Sequence, residues 1–287
     1  MGGTYMKFHQ QPITFVSHVH LIVKKLERSL SFYQGVLGFQ LLDRTETSVS
    51  LTLNGKDVLV TLEQPADVSP KEPRRSGLYH YAILLPDRKE LAKVIQHFID
   101  IKYPLQGISD HLVSEALYLA DPDGNGLEIY VDRPSESWEW IGEQVSMATE
   151  QVDLRSLLSE ANGEKFTGLP TDTIMGHIHL HVSDLAKAAE FYINGLGFKV
   201  VYQISNQALF ISSGGYHHHI GLNIWNGKGI QAPSRNSVGL KYYTIVFADE
   251  LTRDGAKKNL ELLGYPVNEN TAVDPSGNHI LLTVAKD

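Results

Sequence analysis

Histidine is the residue through which this chain can do chemistry. The 287 residues include 13 histidines and no cysteine. A thiolate nucleophile, a disulfide framework and a thiolate zinc site are therefore excluded, and any bound metal must use nitrogen and oxygen ligands. Several histidines fall in alternating runs: His18 and His20, then His177, His179 and His181, with a separate triplet His217, His218 and His219. Residues two apart on a strand share a face, so each run sets imidazoles side by side. A neutral imidazole binds divalent metals, and with an unperturbed pKa of about 6.5 it also carries protons near neutral pH.

The elements that position these side chains show in an internal repeat. SHVHLIVKKLERSLSFYQGVLGF at 17–39 returns as GHIHLHVSDLAKAAEFYINGLGF at 176–198. In each copy an alternating run reads as a half-buried strand and leads into a helix. In the second copy Ser183 or Asp184 can cap that helix, Leu185, Ala188, Ala189 and Tyr192 fall at helical spacing, and Gly195 or Gly197 can end it. SGLYHYAILLPD at 76–87 matches VGLKYYTIVFAD at 238–249, each leading into a helix-like segment, roughly 88–102 and 249–264. DPDGNGLEIYV at 121–131 matches DPSGNHILLTV at 274–284, a Pro/Gly turn feeding a closing strand.

Four similar units follow, each one strand, one helix and about three antiparallel strands, opening near 18, 80, 177 and 242. The fold class is α+β, with four βαβββ modules in two tandem domains. These span 12–132 and 171–287, and a connector at 133–170 carries a short helix expected over 149–161. At roughly 150 residues per domain, the length agrees with two.

Composition narrows the function further. With 42% hydrophobic and 20% charged residues the chain can build a core, so disorder and low complexity drop out. A net charge of −8 works against phosphate backbones and anionic lipid, so no nucleic-acid partner is expected. No apolar run reaches the roughly 18 residues of a membrane span. The opening MGGTYMKFHQQ lacks an apolar signal core, and Met6 stands where an N-myristoylation motif wants Ser or Thr. A cytoplasmic protein with a small-molecule substrate and no membrane partner is the expectation.

Units that each open with an H-[IV]-x-L-like strand and continue to FY and LGF resemble the vicinal oxygen chelate superfamily. Within it, the phrases YHHHIGLNIW, GHIHLHVSDL, GLYHYAILLP and SEALYLADPDGNGLE are similar to the catechol 2,3-dioxygenase group of extradiol ring-cleaving enzymes. The resemblance spans nearly the whole chain. It implies iron(II), with manganese(II) as an alternative, held by two histidines and one carboxylate on one face of the ion, which leaves positions open for a catechol and dioxygen. It places ligands at the first residue of an opening strand, at the same residue of the partner unit, and on that partner's closing strand.

Unit two supplies His80 and Glu128 there, Glu128 standing seven residues after Asp121, whereas unit four has Tyr242 and Leu281. The third ligand is His18 if consecutive units pair, or His177 if units two and three pair across the connector. The second pairing is favoured because it also recruits the triplet. In the family a histidine on a strand of the same unit as the first metal ligand acts as acid and base, and His218 matches that place. A one-residue slip would nominate His217 or His219. Tyr118, ten residues before Glu128, matches a tyrosine that contacts substrate. His111 lies near the place of a further family histidine, two residues closer to Tyr118 than the pattern has it. His20, His179 and His181 share parity with the ligand positions and either line the cavity or pack.

The resemblance thus implies an enzyme that inserts dioxygen into a small aromatic diol next to its vicinal hydroxyls, with His218 and Tyr118 at the substrate, in a chain that self-associates as family members commonly do. The rivals on this fold are a glyoxalase-like isomerase, a thiol transferase acting on an epoxide, and a metal-free protein that sequesters an aromatic drug. The first usually needs a further carboxylate or Gln ligand, which Tyr242 and Leu281 do not offer. The second recruits a potassium loop not identified here. The third has no use for His80, Glu128 and His177 together.

Overall fold

The computed structural model describes residues 7–285; the opening stretch through Met6, with its lipidation position, lies outside them. Each of the four units folds as one βαβββ module. The first contains β1 (Phe15–Ile22), α1 (Leu26–Gly35), β2 (Gln40–Arg44), β3 (Ser48–Thr52) and β4 (Val58–Glu63). The second contains β5 (Gly77–Leu84), α2 (Arg88–Asp100), β6 (Leu105–Asp110), β7 (Ser114–Ala120) and β8 (Gly126–Asp132). A connector with a short hairpin, β9 (Trp140–Ile141) and β10 (Gln144–Val145), leads to α3 (Leu154–Ser159). The third module contains β11 (Ile174–His181), α4 (Leu185–Ala189) running on into a π turn (Glu190–Gly195), β12 (Lys199–Ile204), β13 (Ala208–Ser212) and β14 (Ile220–Asn223). The fourth contains β15 (Gly239–Phe247), α5 (Glu250–Leu262), β16 (Val267–Asn268), β17 (Thr271–Val273) and β18 (His279–Val284).

Two expected boundaries move, and one open choice of helix cap is settled. The opening strands begin at residues 15, 77, 174 and 239, so His18, His80, His177 and Tyr242 are each fourth in their strand, not first. Additional ladder pairs upstream, such as Phe15 with Val246 and Ile174 with Leu84, extend each strand backwards. The connector helix is shorter than 149–161: Asp153 caps it by accepting from the Ser156 amide, while Glu150 is drawn into a bridge with Asp110. In the third module Asp184, not Ser183, is the cap, accepting from the Ala186 and Lys187 amides.

The modules assemble into two eight-stranded mixed sheets, and each sheet takes one module from each half of the sequence. One runs β16-β17-β18-β15-β1-β4-β3-β2, and the other β12-β13-β14-β11-β5-β8-β7-β6. The seams are the antiparallel pairs β1–β15 and β5–β11. The halves are therefore tandem in sequence but shared in space, first module with fourth and second with third, as the connector's length permits. The halves also hold together internally. Tyr33 on α1 donates to Asp121 in the turn before β8 at 3.2 Å, and Tyr192 donates to Asp274 in the turn before β18 at 3.0 Å. Both aspartates also accept from the amides and side chain of the Asn four residues on, which fixes the two Pro/Gly turns.

Alternation sorts the two sheet faces. Val19, Leu21, Tyr81, Ile83, Ile178, Leu180, Tyr243 and Ile245 from the four central strands join one buried apolar cluster with Phe98 and Phe191 of the helices. The residues between them, His18, His20, His80, His177 and His179, face the opposite side, so a period of two delivers every central histidine away from the main core.

Two outcomes test this arrangement. A Cβ on Gly126 would sit 2.1 Å from the Tyr79 carbonyl oxygen, a backbone atom that cannot move aside without parting β8 from β5. Gly126→Ala should cost about 1–3 kcal/mol in urea unfolding; unchanged stability would contradict the close approach. His18, between the Thr61 and Thr244 hydroxyls at 2.9 and 3.2 Å, is held at a pKa of about 3 by burial and by the charge of His20. Because the unfolded chain takes up this proton near pH 6.5 and the folded chain does not, stability should fall as pH drops from about 6.5 toward 3. The loss measured between pH 7 and pH 5 should be smaller in His18→Gln than in the parent chain.

Candidate metal centre

The β5–β11 seam builds the site. In register, His177 of β11 lies opposite Ala82 of β5, Ala82 lies opposite Glu128 of β8, and Glu128 lies opposite Tyr118 of β7. Four strands thus contribute one transverse row on one face, and His80 stands two residues back along β5. Ala82 is fully buried and short, so it forms a floor over which its longer neighbours meet. Glu128 Oε2 lies 3.0 Å from His80 Nε2 and 3.1 Å from His177 Nε2. The three ligand atoms all fall within 4.8 Å of one another, and all three residues are buried. His18 is in the other sheet, where Tyr242, Thr244 and Leu281 stand at the places of His80, Ala82 and Glu128.

The donor set fits a divalent ion. Metal–ligand bonds of about 2.1 Å meeting near a right angle separate two ligand atoms by about 3.0 Å, which is the spacing observed. His80 Nε2 is buried and has no hydrogen-bond partner, although it lies close to Glu128. A buried nitrogen without a partner is costly, and an ion among the three groups would remove that cost. Charge states agree. Burial pulls His177 down to about 4 against the raising influence of Glu128, so its ring is neutral at pH 7. Burial pushes the Glu128 carboxyl up, but the adjoining His177 and His80 hold it well below the usual carboxylate range. Neutral imidazole and ionised carboxylate are the forms that bind metal. The cluster can chelate a divalent metal such as iron(II) or manganese(II).

A cavity of about 390 Å³ opens over this cluster, with His80, Glu128, Tyr118, His111, His179 and His218 in its wall. That volume lies within the usual range for small-ligand sites. Tyr79, Tyr202, Phe210 and Trp225 add aromatic surface, and among the described residues no lysine or arginine lines it. The His218 ring centroid lies 4.1 Å from that of His177. Burial, then the charges of neighbouring histidines, holds His218 well below the ordinary imidazole range, so it enters a reaction unprotonated.

The triplet occupies the loop just before β14, not a strand, since the β11–β14 ladder starts at Ile220. Its three side chains diverge. His217 bonds Asp132 at 2.7 Å, and His219 bonds the Phe8 carbonyl at 2.9 Å. Of the three, only His218 is in the cavity wall.

Tyr118 and His111 form a pair. His111 Nδ1 donates to the Ala148 carbonyl at 2.7 Å, which leaves Nε2 as the acceptor for the Tyr118 hydroxyl, also at 2.7 Å. Burial and the charge of Glu128 raise the Tyr118 pKa well above 10, so the phenol stays protonated. Of the remaining parity candidates, His179 lines the cavity, His181 bonds Asn223 at 2.7 Å, and His20 bonds Glu63 in the other sheet at 2.7 Å. Sequence reasoning missed Ala82, Asp132 and the aromatic wall. The parity of β8 carried a signal for Asp132, because Glu128, Tyr130 and Asp132 share one face.

Comparison with known proteins agrees with this architecture. The family model described as Glyoxalase/Bleomycin resistance protein/Dioxygenase superfamily matches residues 15–129 and 174–281. The chain is 49% identical over 263 residues to "Catechol-2,3-dioxygenase" of Bacillus subtilis (strain 168), a match covering 89% of this chain and 90% of that one. Among solved structures, a Bacillus subtilis chain superposes with a TM-score of 0.65 at 16% identity, over 95% of this chain and 86% of that chain. Glyoxalase I from Zea mays superposes with a TM-score of 0.55 at 17% identity, over 94% and 92%. At such identities the structural likeness shows the fold alone. Repeated modules, matched family segments and a full-length relative lead to one conclusion: this chain belongs to the Glyoxalase/Bleomycin resistance protein/Dioxygenase superfamily.

Proposed function

We infer that the protein is an extradiol ring-cleaving dioxygenase, which inserts both atoms of dioxygen into a catechol-type ring next to its vicinal hydroxyls and leaves a ring-opened semialdehyde. One observation carries the reading. His80, Glu128 and His177 converge within 4.8 Å under an aromatic cavity whose wall also holds His218 and Tyr118. The relative named "Catechol-2,3-dioxygenase", matched over 90% of its length, supports the same substrate class.

His80, Glu128 and His177 would hold iron(II), with manganese(II) as the alternative. The chemistry such an ion supplies is charge that stabilises the ionised diol and redox access to dioxygen. Everything else comes from the chain. Phe210, Tyr202 and Trp225 offer flat apolar surface to one ring, and a wall without lysine or arginine among the described residues suits a ring without an acidic substituent. His218, neutral and beside His177, accepts a phenolic proton as the diol binds and returns a proton later in the reaction. Tyr118 presents its phenolic oxygen with its own hydrogen committed to His111, so it can orient a hydroxyl by accepting from it.

The remaining expectations join this reading. The duplicated units are 12–132 and 171–287 with a connector at 133–170, the protein works in the cytoplasm, and it self-associates. Among the described residues no helix is long and apolar enough to cross a membrane.

The test is anaerobic loading with iron(II), followed by catechol and air. A yellow ring-opened product is expected, and an iron-loaded chain that leaves catechol intact would overturn the reading. Glu128→Ala and His80→Ala should lose bound iron, measured as metal content after desalting. His218→Ala should keep its iron while turnover falls by about 10²- to 10⁴-fold, the range general acid–base groups contribute; an iron-free His218→Ala protein would count against its role.

A further inference from the structure

Asp132 and His217 have no part in the chemistry described so far, yet their side chains are 6% and 0% exposed and lie 2.7 Å apart, Oδ1 to Nε2. Asp132 ends β8 on the face that carries Glu128. The other nitrogen of His217, Nδ1, lies 2.8 Å from Nδ1 of His218. Carboxylate, first imidazole and second imidazole thus form an unbroken line from the end of β8 to the cavity wall. The rings are locked in place. His217 packs against Tyr216 at 4.1 Å between centroids and edge-on against Trp138 at 5.2 Å. Tyr216 itself donates to Asp132 Oδ1 at 3.2 Å and shares a 2.6 Å hydrogen bond with Tyr130.

The protons in this line follow from what each group can do. A carboxylate only accepts, so Nε2 of His217 must donate to it. With only that proton on the ring, His217 has a bare lone pair at Nδ1. Two ring nitrogens 2.8 Å apart share a single proton, so that proton sits on Nδ1 of His218. Its remaining nitrogen, Nε2, is left with a free lone pair. A histidine whose Nδ1 is engaged as a donor is thereby set to receive a proton at Nε2.

We propose that Asp132 and His217 are positioning residues that set the tautomer of His218, making it a proton acceptor toward the cavity. The proposal rests on His218 being the proton carrier of the reaction above. Without the carboxylate, nothing dictates the direction of the line. With a donor in its place, both rings reverse, and His218 turns N–H rather than a lone pair toward the O–H of an arriving phenol. His219 does not set this direction, since its ring is committed to the Phe8 carbonyl and the Ser213 amide.

The tautomers can be read by ¹⁵N NMR on the full chain labelled at histidine and loaded with zinc, a diamagnetic stand-in, with His217 and His218 assigned through His217→Gln and His218→Gln. In the parent protein His217 should carry its proton on Nε2, and His218 on Nδ1. The opposite pattern overturns the proposal, whatever the variants do. Asp132→Leu is close in size and offers neither acceptor nor donor. It should leave both rings as mixtures of tautomers, keep metal content, and lower kcat for catechol about 10²-fold with KM nearly unchanged, a smaller effect than the about 10⁴-fold known for a carboxylate that orients a catalytic histidine. An Asp132→Leu protein with parental tautomers and parental kcat would also overturn it. The expected tautomers in a chain that opens no catechol would support the assignment while counting against the dioxygenase reading.

Discussion

One strand pairing governs the molecule. The antiparallel seam between β5 and β11 sets His177 opposite Ala82, and the parallel ladder to β8 sets Ala82 opposite Glu128. Because side chains alternate, a one-residue slip of either strand would carry its ligand to the apolar face. The seam also joins the two halves of the sequence, so the candidate metal centre is absent from either half alone. His177 comes from the second half, and His80 and Glu128 from the first. The close packing of Gly126 on β5, the turn fixed by Asp121 and the packing of Tyr130 beneath Gly176 all keep β8 and β11 in that register.

The duplicated sheet shows what the same geometry becomes without a ligand set. Tyr242, Leu281 and Thr244 stand where His80, Glu128 and Ala82 stand in the other sheet. His18, the counterpart of His177, is satisfied by two threonine hydroxyls, whereas His177 and His80 converge on a carboxylate. Small Ala82 in place of a hydroxyl-bearing residue is part of the difference: it leaves the floor clear and offers no hydrogen bond that would turn His177 away.

Burying so many titratable groups is expensive, and hydrogen-bond partners offset part of that cost, while His80 Nε2, His177 Nδ1 and His179 Nε2 are buried without one. Desolvation holds His177, His179, His218 and His219 in their neutral forms. Neutral rings distinguish donor from acceptor nitrogen, so each hydrogen bond selects a tautomer. The Ala148 carbonyl does this for His111, and through it for Tyr118. The connector, which supplies Met147, Ala148 and Thr149 to the cavity wall, is therefore part of the site as well as the link between halves.

The module count and the α+β class were legible in the sequence alone because they depend on local properties, and the candidate ligands came from the resemblance to a known family. A period of two, repeated FY and LGF phrases and the DPxGN turns are all read within one module, and Tyr242 and Leu281 excluded the fourth module as a ligand source without any coordinates. The sequence left open which modules share a sheet, and hence whether His18 or His177 faces Glu128, because strand pairing across the connector depends on long-range packing that no local pattern encodes. It likewise left the triplet unresolved. His217, His218 and His219 are identical in type and adjacent, and only the path of the loop before β14, pinned by Asp132 on one side and Phe8 on the other, sends three equal rings to three different tasks.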